Sequence, residues 1–317
     1  MTESNNRNRL ACYVFWEQKG DVHDHVAYYL KGLLEVARDV VVIVNGELSG
    51  QGRKRLETLG VDFFIRENAG LDFAAWQAAL KRIGWDKLLQ YDELILCNCS
   101  CYGPVYPFSE MFGEMEKREC DFWGINRQPD LPGKFIGDSG NRFPLKGHIQ
   151  SYFYVFRQQA LRSDAFREWW GELVPAKSYW EEVRSHELEF SGFLERHGLA
   201  GAAYMDFDKY NALAPESDAC NLCADIQLED RNPLVKRKLF LRTSPVTLRV
   251  LRFLQTRTFY PVEYILADMA RSIPHSLSNF IKYALLARIC FGRRRTHYTV
   301  KAEKIKILRE YCRKQGR

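Results

Sequence analysis

Residues 67–104 read ENAGLDFAAWQAALKRIGWDKLLQYDELILCNCSCYGP, and this stretch decides the fold class. Its order is loop, helix, buried strand, loop, with polar residues gathered at the junctions. Glu67, Asn68 and Gly70 close a loop after a strand, and Asp72 is expected at the N-cap of a helix running to about Ile83. Leu94 to Cys97 then form a central strand that exits through Asn98-Cys99-Ser100 and Tyr102-Gly103-Pro104. In open sheets of parallel strands, ligands bind at the carboxyl ends, so both junctions are expected to face one crevice. An α/β protein without a ligand shows the same pattern, so pattern alone leaves the site open.

Outward from this segment the chain keeps alternating. Leu10 to Trp16 is apolar and strand-forming, Val26, Leu30, Leu33 and Leu34 have helical spacing, and Val40 to Val44 is a continuous β-branched run. Arg53–Leu59 predicts a short helix and Val61–Ile65 a third strand. A β, α, β, α series of this kind predicts a parallel sheet wrapped by helices, with a Rossmann-like half as the simplest solution. Neither G-x-G-x-x-G nor a P-loop occurs, which disfavours a dinucleotide oxidoreductase or a P-loop kinase. Further on, Asp121–Asn126 and Gln150–Arg157 read as strands joined by an irregular loop suited to covering a cleft. Residues 165–173 and 179–197 read as helices, and Ala202–Met205 as a short last strand.

A 46% hydrophobic content is that of a globular protein, and 317 residues hold one large α/β domain with a smaller appendage. The polar amino terminus has no secretory pattern and no apolar run spans a bilayer, so a cytoplasmic location is expected. Nine cysteines in such surroundings read as reduced, buried thiols. The net charge of +6 conceals an asymmetry: residues 231–317 carry 21 Lys and Arg against 4 Asp and Glu, leaving 25 against 36 before them. The expected organisation is an acidic body, residues 1–230, and a basic helical region, residues 231–317. A basic tail meets nucleic acid, anionic lipid or an acidic partner, and charge alone does not choose among them. The stretch VTLRVLRFLQTR and three later ones read as helices, one of them running from Phe280 to Ile289 and ending before three arginines. A short apolar helix edged with Arg suits a bilayer interface, and a helical bundle packed on the body is the alternative.

The motifs ENAGLDFAAWQAAL, CNCSCYGP, DFWGIN, HIQSYFYVFR and SHELEFSGFLERHGL, in this order and spacing, resemble the rhamnan synthesis protein F family of sugar transferases over roughly residues 10–240. The resemblance implies an A-type glycosyltransferase fold and a nucleotide-sugar donor. It further implies an inverting rhamnosyltransferase that takes dTDP-rhamnose and extends a lipid-linked cell-surface polysaccharide at the inner face of the membrane. Asn68, Gly70, Asp72, Asn98 and Ser100 would then form the donor side, with His148 on the diphosphate and Gln150 on a sugar hydroxyl. Glu187 is the expected general base, since a carboxylate in reach of the acceptor hydroxyl takes its proton as the new bond forms. Asp121 is a second catalytic candidate, able to contact the acceptor or simply cap a turn, and Trp123 offers an aromatic face or core.

One position departs from the family pattern. Where the resemblance implies Asn-Asp-Ser holding Mg²⁺ or Mn²⁺ on the diphosphate, this chain has Asn98-Cys99-Ser100, and a neutral thiol is a poor ligand for a hard cation. Either Asp72 or His148 holds the metal, or Arg and Lys replace it, or activity is reduced. The departure also motivates a competing class, a non-catalytic subunit that binds glycan or a partner transferase. A nucleic-acid-binding role ranks last, because no recognition motif accompanies the basic tail and the acidic body repels phosphate.

Overall fold

The computed structural model describes residues 7–130, 133, 135–137, 143–205, 208–210, 222–241 and 245–272. Strands β1 (Arg9–Phe15), β2 (Asp39–Asn45), β3 (Asp62–Arg66) and β4 (Glu93–Asn98) alternate with helices α1 (Asp24–Leu34), α2 (Gly50–Leu59) and α3 (Leu71–Ile83). After the short β5 (Cys101–Tyr102) come β6 (Phe122–Gly124), β7 (Arg127–Gln128), β8 (Phe135–Ile136), β9 (Phe143–Pro144), β10 (His148–Ile149) and β11 (Phe153–Arg157). Finally β12 (Gly201–Ala203) and β13 (Val235–Lys236) complete the strands.

Seven strands form the central sheet in the order β12-β6-β11-β4-β1-β2-β3. The β3-β2-β1-β4 part is parallel throughout and forms the Rossmann-like half expected from the sequence. The rest differs from a wholly parallel sheet, because β11 runs antiparallel to both β4 and β6. Strand alternation builds two cores, since successive side chains point to opposite faces. Ala11, Tyr13 and Phe15 join Ile95 and Cys97 under α1 and the helix Phe108–Met115. Leu10, Cys12 and Val14 join Leu94 and Leu96 under α3 and the helices Asp164–Glu172 and Leu188–Arg196. Burial on both faces explains why these strands read as continuous apolar runs. Trp123, weighed as a sugar platform, is fully buried in the first core.

A third core joins the body to the basic region. Strand β13 pairs antiparallel with β5, Val235 opposite Tyr102. Tyr102, Val105 and Tyr106 are buried with Phe240, Leu251 and Ile265, the latter two from helices Pro245–Arg257 and Val262–Ser272. Residues 231–241 and 245–272 thus complete the body's packing. No helix among the described residues is long and apolar enough to cross a membrane. The arginine-edged helix expected at 280–289 lies outside the described residues, as does the last one.

Candidate active site

The carboxyl ends of β1, β2, β3 and β4 open into one crevice of about 950 Å³. Because β11 runs the other way, the segment leading into it enters the same crevice, bringing His148, Gln150 and Ser151 opposite Asn98 and Ser100. Of the residues singled out from sequence, Asn68, Asp72, Asn98, Ser100, His148, Gln150 and Glu187 all line it.

The strand end is held by a relay of hydrogen bonds. Asn98 donates from Nδ2 to Asp72 Oδ2 at 2.7 Å, and its Oδ1 accepts from Ser100 Oγ at 2.6 Å and Ser100 N at 3.1 Å. Asp72 is not the N-cap. Gly70 occupies that position in left-handed conformation at φ 72°, and Asp72 lies in the first turn of α3. A Cβ on Gly70 would meet Ala74 Cβ and Pro175 Cβ at 2.6 Å, so this glycine serves the turn and does not line the crevice. The cap comes from far along the chain: Glu182 Oε1 accepts from the amides of Asp72 at 3.0 Å and Phe73 at 3.3 Å. An acidic group at a helix N-terminus satisfies otherwise orphaned donors.

Glu182 escaped the sequence reading. It is only 7% exposed yet lines the crevice, and no partner reaches its Oε2 among the described residues. Burial, with Asp72 adding like-charge repulsion, pushes its carboxyl up to about 8. Burial likewise pushes Asp72 up to about 6, against the hydrogen bond from Asn98. Between them and the base candidate lies a wide π-helical turn, Val183–Glu187, where one unbroken helix was expected over 179–197. Its i→i+5 geometry keeps both Glu182 and Glu187 on the crevice.

Glu187 Oε1 accepts from Ser151 N at 3.3 Å and lies 3.9 Å from His148 Nε2. His148 Nδ1 lies 2.8 Å from the Lys146 carbonyl, which only accepts, so Nδ1 carries a proton and Nε2 faces the carboxylate. Glu189, two residues on, points elsewhere and pairs with Lys146. Asp121 is not brought to the crevice. It precedes β6 at the opposite end of the sheet, beside Arg157, and its carboxylate accepts from Ala200 N at 2.7 Å. The structure corrects that candidate, because a residue opening a strand parallel to β4 lies away from the strands' carboxyl ends.

The fourth wall is basic. Lys236, Arg237 and Lys238 line the crevice, where sequence reading had counted them with a basic tail. Arg237 N donates to Ser100 O at 2.9 Å, and its Nη1 donates to Cys99 O at 3.0 Å. Its Nη2 and Nε reach Asp268 Oδ2 at 2.8 and 3.0 Å, and Tyr102 donates to the same oxygen at 2.6 Å. Burial opposes the Arg237 charge, but Asp268 outweighs it and the guanidinium is held well above its ordinary range. Trp16, 52% exposed at the exit of β1, forms the rim.

Mg²⁺ and Mn²⁺ require several hard oxygen ligands. At the strand end Asn98 and Ser100 satisfy each other, Asp72 is engaged by Asn98, and Cys99 offers a thiol half-buried and pushed above its ordinary range by burial. His148, the other alternative holder, has Nδ1 on the Lys146 carbonyl and turns Nε2 toward Glu187. Among the described residues, the cluster of three metal-capable side chains is Glu17, Asp21 and His23, which does not line the crevice. The residues present therefore do not fit a divalent cation at the strand end.

Comparison with known proteins adds a family. The model described as rhamnan synthesis protein F matches residues 40–308. An uncharacterized protein, y4gN, from Sinorhizobium fredii (strain NBRC 101917 / NGR234) is 23% identical over 184 residues, 57% of this chain and 44% of its own. The chain thus spans less than half the length of that curated relative. Among solved structures, 4-diphosphocytidyl-2C-methyl-D-erythritol synthase is 14% identical with a TM-score of 0.40, covering 63% of this chain and 89% of its own. Glucosyl-3-phosphoglycerate synthase from Mycobacterium tuberculosis is 12% identical with a TM-score of 0.38, covering 62% and 70%.

Proposed function

Because the chain belongs to the rhamnan synthesis protein F family, we propose that it is a nucleotide-sugar-dependent glycosyltransferase of A-type fold that transfers rhamnose from dTDP-rhamnose with inversion. Its acceptor is a lipid-linked cell-surface glycan, met at the inner face of the membrane through the basic carboxyl-terminal region. The nucleotide lies along the β1 and β2 exits, past Trp16 and Asn45, with Asn68, Asp72, Asn98 and Ser100 along the donor. His148 and Gln150 contact the donor sugar and diphosphate from the opposite wall.

The observation that carries this reading is the placement of Glu187. It is one of four acidic side chains in the crevice, with Asp72, Glu182 and Asp268, and it is held by the Ser151 amide and faces His148 Nε2 on the wall opposite the strand end. In the transfer, the acceptor oxygen forms a bond to the anomeric carbon while the bond from that carbon to the diphosphate breaks. The electron pair leaves on the diphosphate, and the acceptor proton passes to Glu187. The Ser151 amide, which donates to Glu187 Oε1, fixes the direction from which the carboxylate acts.

The test is a transfer assay with dTDP-, UDP- and GDP-sugars on lipid-linked glycan acceptors, wild type against Glu187→Gln. Loss of a general base lowers kcat by about 10²- to 10⁴-fold, with KM for the donor little changed. No transfer from any donor, or an unimpaired Glu187→Gln variant, would overturn the assignment.

A further inference from the structure

We propose that the basic segment Lys236-Arg237-Lys238 takes the place of a metal ion and receives the leaving diphosphate directly. The proposal rests on the transferase reading and names how its leaving group is stabilised. Three observations converge on it.

The strand end has no spare oxygen ligands, since its amide and hydroxyl groups satisfy one another and its middle residue is Cys99. The crevice carboxylates are engaged as well. Asp72 accepts from Asn98, Glu182 from the α3 amides, Glu187 from Ser151, and Asp268 from Arg237 and Tyr102. Glu182 Oε2 is left unpartnered, but Glu182 belongs to the cap of α3 and not to the strand end.

The basic segment, in contrast, is built onto the place where a metal would sit. Strand β13 is registered against β5, Lys236 opposite Cys101, one residue past Ser100. The Arg237 amide then donates to the Ser100 carbonyl and its guanidinium to the Cys99 carbonyl, so main chain and side chain are both tied to the strand-end loop. Lys236 Nζ lies 3.8 Å from the Tyr152 ring centroid, beside the entry to β11. Asp268 balances Arg237, and Lys236 brings a further positive charge to the crevice. Fixed cations aimed at developing negative charge need no reorganisation at the moment of bond breaking.

The arrangement also accounts for Cys99. Once the neutralising charge arrives from the other wall, a carboxylate at that position would sit beside Arg237 and compete with the diphosphate for it. A thiol adds no second carboxylate to the one, Asp268, that Arg237 already holds.

The test uses the full chain in two arms, both with EDTA or Mn²⁺. One arm measures binding of dTDP, UDP and GDP by calorimetry; the other measures transfer. The wild type is expected to bind one nucleoside diphosphate and to transfer its sugar equally well in EDTA. The variant Lys236→Met/Lys238→Met, with an unchanged melting temperature when unliganded, is expected to lose at least about tenfold in binding and about 10²-fold in kcat. Binding that appears only with Mn²⁺, or a double variant that binds as the wild type does, overturns the proposal. Should the wild type transfer nothing yet bind a nucleoside diphosphate in EDTA through these lysines, the segment stands as a diphosphate site and the transferase reading falls. If the double variant does not fold, Lys236→Arg/Lys238→Arg, expected to retain binding, is set against Lys236→Gln alone, expected to weaken it; equal binding by the two overturns the proposal.

Discussion

Asp72 and Glu182 make the crevice floor sensitive to pH. Both carboxyls are pushed up in the folded chain, to about 6 and about 8, chiefly by burial. Between the ordinary carboxyl range and those values the folded state binds more protons than the unfolded chain, so their contribution is fully present at low pH. It is lost as pH rises through 6 and then 8, at about 1.4 kcal/mol per pKa unit. Thermal melts from pH 5 to pH 9 should therefore show a falling midpoint for the wild type and a flatter one for Glu182→Gln, and parallel slopes would refute the protonated Glu182. Most of the site was legible at this scale because residues such as Asn98, Ser100 and Gln150 sit at strand junctions, which the α/β pattern brings to one side. Glu182 was not, because regular helical spacing does not reveal a π-turn. Asp121 misled for a related reason: the DFWG motif marks a strand but does not say which of its ends faces the ligand.

At the level of elements, the parallel half followed from its β-branched runs and alternating helices, whereas the direction of β11 did not, since an apolar run reads the same both ways. That direction has a structural cost concentrated at Gly124. A Cβ there would come within 2.3 Å of Ile149 Cγ2 and 2.8 Å of the Phe153 carbonyl. Gly124→Ala should force β6 apart from the β10–β11 connection and cost about 1–3 kcal/mol, as overpacking does. The expected readouts are a lower melting temperature and, because Ile149 sits between His148 and Gln150, a weaker affinity for donor. A variant with wild-type melting and donor affinity would show that the close approach relaxes freely. Of the segment 127–147, expected as an irregular loop, the described residues include β7, paired with β10, and the antiparallel pair β8–β9, whose two-residue strands are too short to leave an alternating pattern.

Across the whole molecule, the basic charge divides into two jobs that counting could not separate. Lys236 to Lys238 line the crevice, while residues 273–317 carry 12 Lys and Arg against 2 Asp and Glu, the charge that the proposed membrane contact draws on. Truncation after Ser272 should abolish salt-sensitive retention on vesicles containing anionic lipid while sparing transfer to a detergent-dispersed acceptor; undiminished retention would move the contact to the body. The third core carries a further consequence, one of timing. A ribosome releases the amino-terminal sheet first, with its strands, both layers of core and Glu187 already present. Arg237 and Asp268 emerge later, and only then can β13 pair with β5 beside Ser100 and wall the crevice. A nascent chain that stops before Arg237 thus carries Asp72, Glu182 and Glu187 without the basic wall that faces them.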